Sequence, residues 1–189
     1  MIFVTVGTQK IKFTRLFKYL ENIKDDDVII QSGFNKIKEQ DNYQIYESIP
    51  FYDMKKYIDK CDTLITHGGP DNIFYALLKG KKVIVVPRQE KYKEHINDHQ
   101  LYFANYLDRK KYCYVARTEE EFINCLNSDK KLKKFKSTTD KFTKKVEKEI
   151  DKLLEDVWKK INYLWYLCIY TWLFYYSSQQ IAILLIVQV

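Results

Sequence analysis

Thr66-His67-Gly68-Gly69-Pro70 joins two unlike segments. Before it, Asp62-Thr63-Leu64-Ile65 is a short β-type run; after it, the chain to about Lys79 reads as helix. The glycines let the backbone turn sharply and approach a ligand closely. Pro70 suits the first turn of a helix, where its missing N–H costs nothing. Strand, glycine turn and helix in succession present free backbone N–H groups and a positive dipole end, which suits a phosphate. Next comes Lys82-Val83-Ile84-Val85-Val86, a continuous β-branched run of the kind buried on both faces of a parallel sheet. On such sheets ligands sit at the carboxyl ends of the strands. His67-Gly68-Gly69 and Pro87-Arg88-Gln89 both fall there.

Outward from this centre the pattern repeats. Ile2 to Val6 is an apolar strand with Gly7-Thr8 as its turn, and Phe13, Leu16, Phe17 and Leu20 form a helical stripe. Asp27 to Gln31 is a second strand, ended by Ser32-Gly33, and Tyr43 to Glu47 a third. Phe51 to Cys61 reads as helix with Met54, Tyr57, Ile58 and Cys61 on one face. His95 to Arg109 reads as the next helix, and Tyr112 to Val115 as the last strand. Thr118 with Glu121 is a capping box that opens a helix to about Leu126. Strands alternating with helices predict an α/β fold with a Rossmann-like parallel sheet. The GxGxxG fingerprint of nicotinamide enzymes is absent, which argues against a dehydrogenase.

The chain has 189 residues and a net charge of +7. The excess is local: residues 130–160 hold 12 Lys against 6 acidic residues. Phe135, Phe142, Val146, Ile150, Leu153 and Val157 make one stripe there, predicting an amphipathic helix with a cationic outer face. Its charges are lysines with no aromatic platform among them, so nucleic acid is not expected as a partner. Residues 161–189 carry no charge and many aromatics. Together they are long enough for a membrane span of about 20 residues, although Ser177 to Gln180 interrupts them. Insertion, interfacial binding and docking on a partner are all open for this tail. The expected organisation is a domain over 1–128, a Lys-rich helix over 129–160 and an apolar tail over 161–189. Cys61, Cys113, Cys125 and Cys168 are widely spaced and read as buried thiols in a reducing compartment. No signal-peptide pattern opens the chain, so the main domain is expected in the cytosol.

Four pieces in order, Phe3-Val-Thr-Val-Gly-Thr8, Thr66-His-Gly-Gly-Pro70, Val85-Val-Pro-Arg-Gln89 and Glu94-His-Ile-Asn-Asp-His-Gln100, resemble the carboxyl-terminal, donor-binding domain of glycosyltransferase family 28. The resemblance runs from Met1 to about Ala116 and looks closest to the small soluble subunits of two-component transferases. Examples are the donor subunit of the dolichol-linked N-acetylglucosaminyltransferase and its bacterial exopolysaccharide relatives. It implies one half of a GT-B enzyme that binds a UDP-sugar of the N-acetylglucosamine or galactose class. A membrane-associated partner would supply the acceptor half, the acceptor being lipid-linked. The place implied is the cytoplasmic face of a bacterial plasma membrane or of the endoplasmic reticulum. No cofactor beyond the donor is implied. A non-catalytic subunit that activates or stabilises a partner transferase is the alternative.

On this reading Gly68 and Gly69 bring backbone N–H groups to the diphosphate, and His67 donates to a phosphate oxygen. Gly7 and Thr8 face the same crevice, Pro70 and Asn72 open the helix beside it, and Arg88 or Gln89 lies at the neighbouring strand end. Glu94, Asp98 and Gln100 are candidates to read sugar hydroxyls, with His95 and His99 beside them. Other readings stay open. His67 could be structural, Gly68-Gly69 only a turn, and Arg88 and Asp98 a surface ion pair. His95 and His99, four apart on the expected helix, could suggest a metal. A zincin, however, needs Glu directly after the first His, and Ile96 stands there, so no metal is expected. Where the family usually has a small hydroxyl residue and then a ribose-binding glutamate, this chain has Asn72 and Tyr75. It also has Lys93 in place of a glycine, and Gln9 in place of a histidine that often follows the first turn.

Overall fold

The computed structural model describes residues 1–24, 26–130 and 132–136, with scattered positions between 144 and 163. One compact unit covers Met1–Lys136 and a second Ser137–Val189.

In the first unit β1 (Ile2–Thr5), β2 (Val28–Gln31), β3 (Tyr43–Tyr46), β4 (Thr63–Thr66), β5 (Lys82–Val85) and β6 (Tyr114–Val115) form one sheet in the order β3-β2-β1-β4-β5-β6. Every pairing is parallel. The helices are α1 (Thr14–Leu20), α2 (Phe51–Lys60), α3 (Pro70–Leu78), α4 (His99–Arg109) and α5 (Glu119–Leu126). This is the Rossmann-like α/β architecture. The chain builds β1 to β3 outward, then returns to place β4 against the other side of β1. The switch point therefore lies between β1 and β4, where the carboxyl-terminal edge opens a crevice.

The apolar runs explain the layers. β1 is buried along its whole length, as a strand covered on both faces must be. Val4, Ile30, Ile65 and Ile84 pack with Phe13, Leu16, Leu20 and Phe122, which puts α1 and α5 on one face. Phe3, Leu64, Val83 and Val85 pack with Ile58, Ile73, Ala76, Ala104 and Leu107, which puts α2, α3 and α4 on the other. Each Val, Leu, Ile or Phe among them contributes about 1.5–3 kcal/mol on full burial. Thr118 accepts the Glu121 N–H at 3.2 Å as N-cap of α5, while the Glu121 carboxylate reaches back to Arg117 N–H.

Several expectations are corrected. The helix read from His95 starts at His99. A single 3-10 turn, Glu90–Tyr92, ends in Lys93 with a left-handed φ of 57°, so the chain breaks before a helix can begin. Ile96 is 77% exposed. The last strand is Tyr114–Val115 only, because Tyr112 N–H bonds back to the Leu107 carbonyl in the turn that ends α4. Phe135 is not on a helix. It lies in an irregular segment of the first unit, stacked on Phe74 and edge-on to Tyr112.

In the second unit the described positions from 144 to 163 are helical. Val146, Ile150, Leu153 and Val157 are exposed. Among the described residues no helix is long and apolar enough to cross a membrane. Phe142, Cys168 and the tail 161–189, apart from Tyr163, lie outside the described residues. Cys61 and Cys113 are buried thiols, pushed up by burial to about 11 and about 12, and Cys125 is half-buried.

Candidate functional site: glycine turns around His67

Gly7 follows β1 and His67 follows β4, so both stand on the carboxyl-terminal edge at the switch point. The glycines there are dictated by contact distance. A β-carbon at Gly7, whose φ is +74°, would stand 2.8 Å from His67 Cε1. One at Gly69 would stand 2.5 Å from His67 Nε2, and one at Gly68 2.6 Å from Gln100 Cβ. Two turns 60 residues apart in sequence thus close on one imidazole. Gln31, at the end of β2, braces the first of them: its Nε2 donates to the Gly7 carbonyl at 3.1 Å, and its Oε1 accepts from Val6 N–H at 3.2 Å.

Helix α3 begins at this point. Gly69 is its N-cap, Pro70 its first residue, and no side chain caps it. Its first-turn amides and dipole end are the groups a bound anion would use. Thr8 is exposed beside them, and Asn72 is half-buried in the first turn.

His67 is held well below its ordinary range, at about 4. Burial is the largest cause; the charges of Arg88 and His95 act in the same direction, and a backbone hydrogen bond at Thr5 opposes them. At neutral pH the imidazole is therefore uncharged and can donate one N–H, while its Nδ1 lies 3.4 Å from Thr66 Oγ1.

The segment from Pro87 to Gln100 is arranged differently. Arg88 is completely buried. Its Nη1 donates to the Ile11 carbonyl at 2.8 Å and the Glu94 carbonyl at 3.2 Å, and its Nη2 to the Val6 carbonyl at 3.1 Å. The alternative reading of Arg88 and Asp98 as a surface ion pair is thereby excluded, and Asp98 instead accepts the Glu90 N–H at 2.8 Å. Glu94 is buried in a two-pronged ion pair with Arg15, Nε to Oε1 at 3.0 Å and Nη2 to Oε2 at 2.8 Å. Gln89 N–H also donates to Glu94 Oε2. Gln100 Oε1 accepts from Gly68 N–H at 3.0 Å and Arg88 N–H at 3.3 Å, which ties the second glycine turn to the end of β5.

His95 precedes α4 and His99 opens it, so the two do not share a helix face as expected. Their rings meet edge to face with centroids 4.5 Å apart. His95 Nε2 lies 2.9 Å from Gln9 Nε2, and His99 Nδ1 is bonded to Asn97 Oδ1. His95 is shifted down by burial and by the neighbouring His99 and Arg88. Among the described residues no three His, Cys, Asp or Glu side chains are grouped to hold a metal. The Tyr75 hydroxyl donates to the Asp59 carboxylate at 3.1 Å.

The structure thus gathers Gly7, His67, Gly68, Gly69, Pro70 and Gln100 at one point. It engages the side chains of Arg88, Glu94 and Asp98 with protein partners. Sequence reading missed Arg15 and Gln31. One signal was available for Arg15: the chain has four arginines against 28 lysines. A rare arginine in a lysine-rich chain marks a place where a planar fork is needed.

Among solved structures, similar folds include the glycotransferase of kitacinnamycin, at 15% identity over 67% of this chain and 35% of that one, with a TM-score of 0.49. The glycosyltransferase SnogD from Streptomyces nogalater shows 21% identity over 67% of this chain and 33% of its own, with a TM-score of 0.42. For spinosyn forosaminyltransferase SpnP the values are 15%, 66%, 33% and 0.47. The chain spans about a third of the length of each of these proteins. No curated protein matches. The model of the glycosyltransferase family 28 C-terminal domain matches residues 1–154, and the chain belongs to that family.

Proposed function

We propose that this chain is the donor-binding subunit of a two-component glycosyltransferase. It would move a sugar from a UDP-sugar, of the N-acetylglucosamine or galactose class, to a lipid-linked acceptor at the cytoplasmic face of a membrane. One observation carries the reading: Gly7 and Gly69 close on His67, with Gly68 packed on Gln100, at the switch point of a family 28 domain, directly before the uncapped start of α3. The diphosphate would lie on the first-turn amides of α3, with the His67 N–H on a phosphate oxygen. Glycosyl transfer builds negative charge on the leaving diphosphate, and fixed donors aimed there stabilise the transition state. The Thr8 hydroxyl stands beside the same edge. Gln100 acts through the backbone, by holding Gly68 in place.

The acceptor half and the general base would come from a membrane-associated partner. The Lys-rich segment 129–160 and the uncharged tail 161–189 are the parts we assign to that partner or to the membrane surface. No cofactor beyond the donor enters the scheme.

A second reading, a non-catalytic subunit that stabilises a partner transferase, is favoured by Tyr75, which is turned to Asp59 and offers no carboxylate to a ribose. Calorimetric titration of UDP, UDP-N-acetylglucosamine and UDP-galactose into the full chain separates the two, with and without co-purified partner. Micromolar to millimolar binding that His67→Ala abolishes is expected of a donor site. Silence in both settings rejects the enzyme reading and leaves the second.

A further inference from the structure

Three charged side chains lie buried or nearly so beside the crevice, and they do not balance. Arg15 and Arg88 are both cations; among the described residues Glu94 is the one carboxylate bonded to Arg15, and Arg88 reaches only the Glu94 backbone carbonyl. Arg88 is pulled down to about 10 by burial, with Glu94 opposing the shift, and is still protonated at neutral pH. For Arg15 burial also disfavours the charge, but the hydrogen bonds it donates to Glu94 and Tyr19 outweigh it and the net shift is upward. His67 and His95 are both shifted toward the neutral form. Both guanidinium groups lie over the Phe13 ring, Arg88 at 4.5 Å and Arg15 at 5.5 Å from its centroid. Two buried donors, Arg88 Nε and Gln89 Nε2, find no acceptor among the described residues. Of the remaining charges on the flanking loops, Lys10, Lys12, Lys91 and Lys93 are exposed cations, Glu90 is exposed, and Asp98 holds Glu90 N–H.

A buried charge without a counter-ion is costly, and a bound anion would complete the balance here. We propose that the one carboxylate of Glu94, paired with Arg15, offsets only one of the two cations, so that a single positive charge is left behind the Gly7 and His67 turns. That charge, acting at a distance and not by contact, selects a diphosphate over an uncharged ligand. The two arginines are positioning residues as well. Arg88 ties the carbonyls of Val6 and Ile11 to that of Glu94, and Arg15 ties Pro87 and Glu94 to α1, so both loops beside the crevice hang on them.

The inference rests on the donor-site reading for its ligand, and the test keeps the two apart. UDP, uridine and inorganic pyrophosphate are titrated into the full chain and into four variants, each checked for a cooperative thermal transition. Arg15→Gln takes the cluster from one net positive charge to none; UDP and pyrophosphate affinity is expected to fall about tenfold, with uridine within about twofold. Arg15→Lys keeps the charge and the UDP affinity. Glu94→Gln adds to the positive charge and leaves diphosphate affinity equal or higher. The double variant Arg15→Gln, Glu94→Gln restores one net charge without the ion pair, and diphosphate affinity returns toward the parent value. If the cluster were only a brace, Glu94→Gln and the double variant would bind as poorly as Arg15→Gln, and the proposal would be overturned. Pyrophosphate binding that follows the charge series while UDP and UDP-sugars stay silent would support the charge and reject the donor reading. Pyrophosphate affinity indifferent to all four variants would reject the charge, whatever UDP does.

Discussion

The turn at 67–70 and the segment at 87–100 sit side by side on one edge of the sheet, and both read in the sequence as facing a ligand. They use their polar groups in opposite ways. In the first, the helix start is uncapped and the imidazole is uncharged and mostly, not fully, buried. In the second, the side chains of Arg88, Glu94, Asp98 and Gln100 all bond to protein. One region presents backbone groups outward, and the other turns side chains inward to hold it there. Polar density in a sequence does not separate these roles; the hydrogen-bond partners do.

The comparison breaks most severely at Arg88. Arg88→Ala leaves three carbonyls without their cation, and we expect a loss of about 3–5 kcal/mol, read from urea unfolding. A loss below about 1 kcal/mol would mean the second region is not a brace.

His67 comes next. Its folded value of about 4 lies below the ordinary 6.5, so the unfolded chain takes up the proton first. The stability linked to it is complete above pH 6.5 and is lost as pH falls toward 4, by up to about 3 kcal/mol. His67→Gln should flatten the stability profile in that window, and an unchanged slope would place the acid sensitivity elsewhere.

Gly68→Ala sharpens the contact between the regions. The added carbon would meet Gln100 at 2.6 Å, and a cost of about 1–3 kcal/mol in thermal unfolding is expected. Neutrality would show that α4 can shift away. The smallest effect lies far from both regions: Thr118→Ala removes the cap of α5 and should cost about 1 kcal/mol by the same assay, with no change in UDP titration.

The strands and most helices were legible in the sequence because burial writes its own pattern. Ile2 to Val6 and Lys82 to Val86 are apolar runs that only a doubly covered strand explains. The stripe Phe13, Leu16, Phe17, Leu20 marked the packed face of α1, and all four are buried. Gly7 and His67-Gly68-Gly69 were legible because close approach forbids a side chain. The 93–98 stretch was not, since a left-handed Lys93 and an exposed Ile96 leave no periodic trace. Arg15 was not legible either, because its partner Glu94 lies 79 residues away and pairing at that range has no local signature. Phe135 matched a helical stripe by spacing, yet packs on Phe74 and Tyr112, where tertiary contact overrides periodicity.

The most direct test of the central claim is amide chemical-shift mapping of the isotope-labelled chain during UDP titration. The account predicts that the largest changes fall on Gly7, His67, Gly68, Gly69 and Asn72, with little movement from Glu90 to Lys93. Changes concentrated at 90–98, with His67 to Gly69 unmoved, would contradict it.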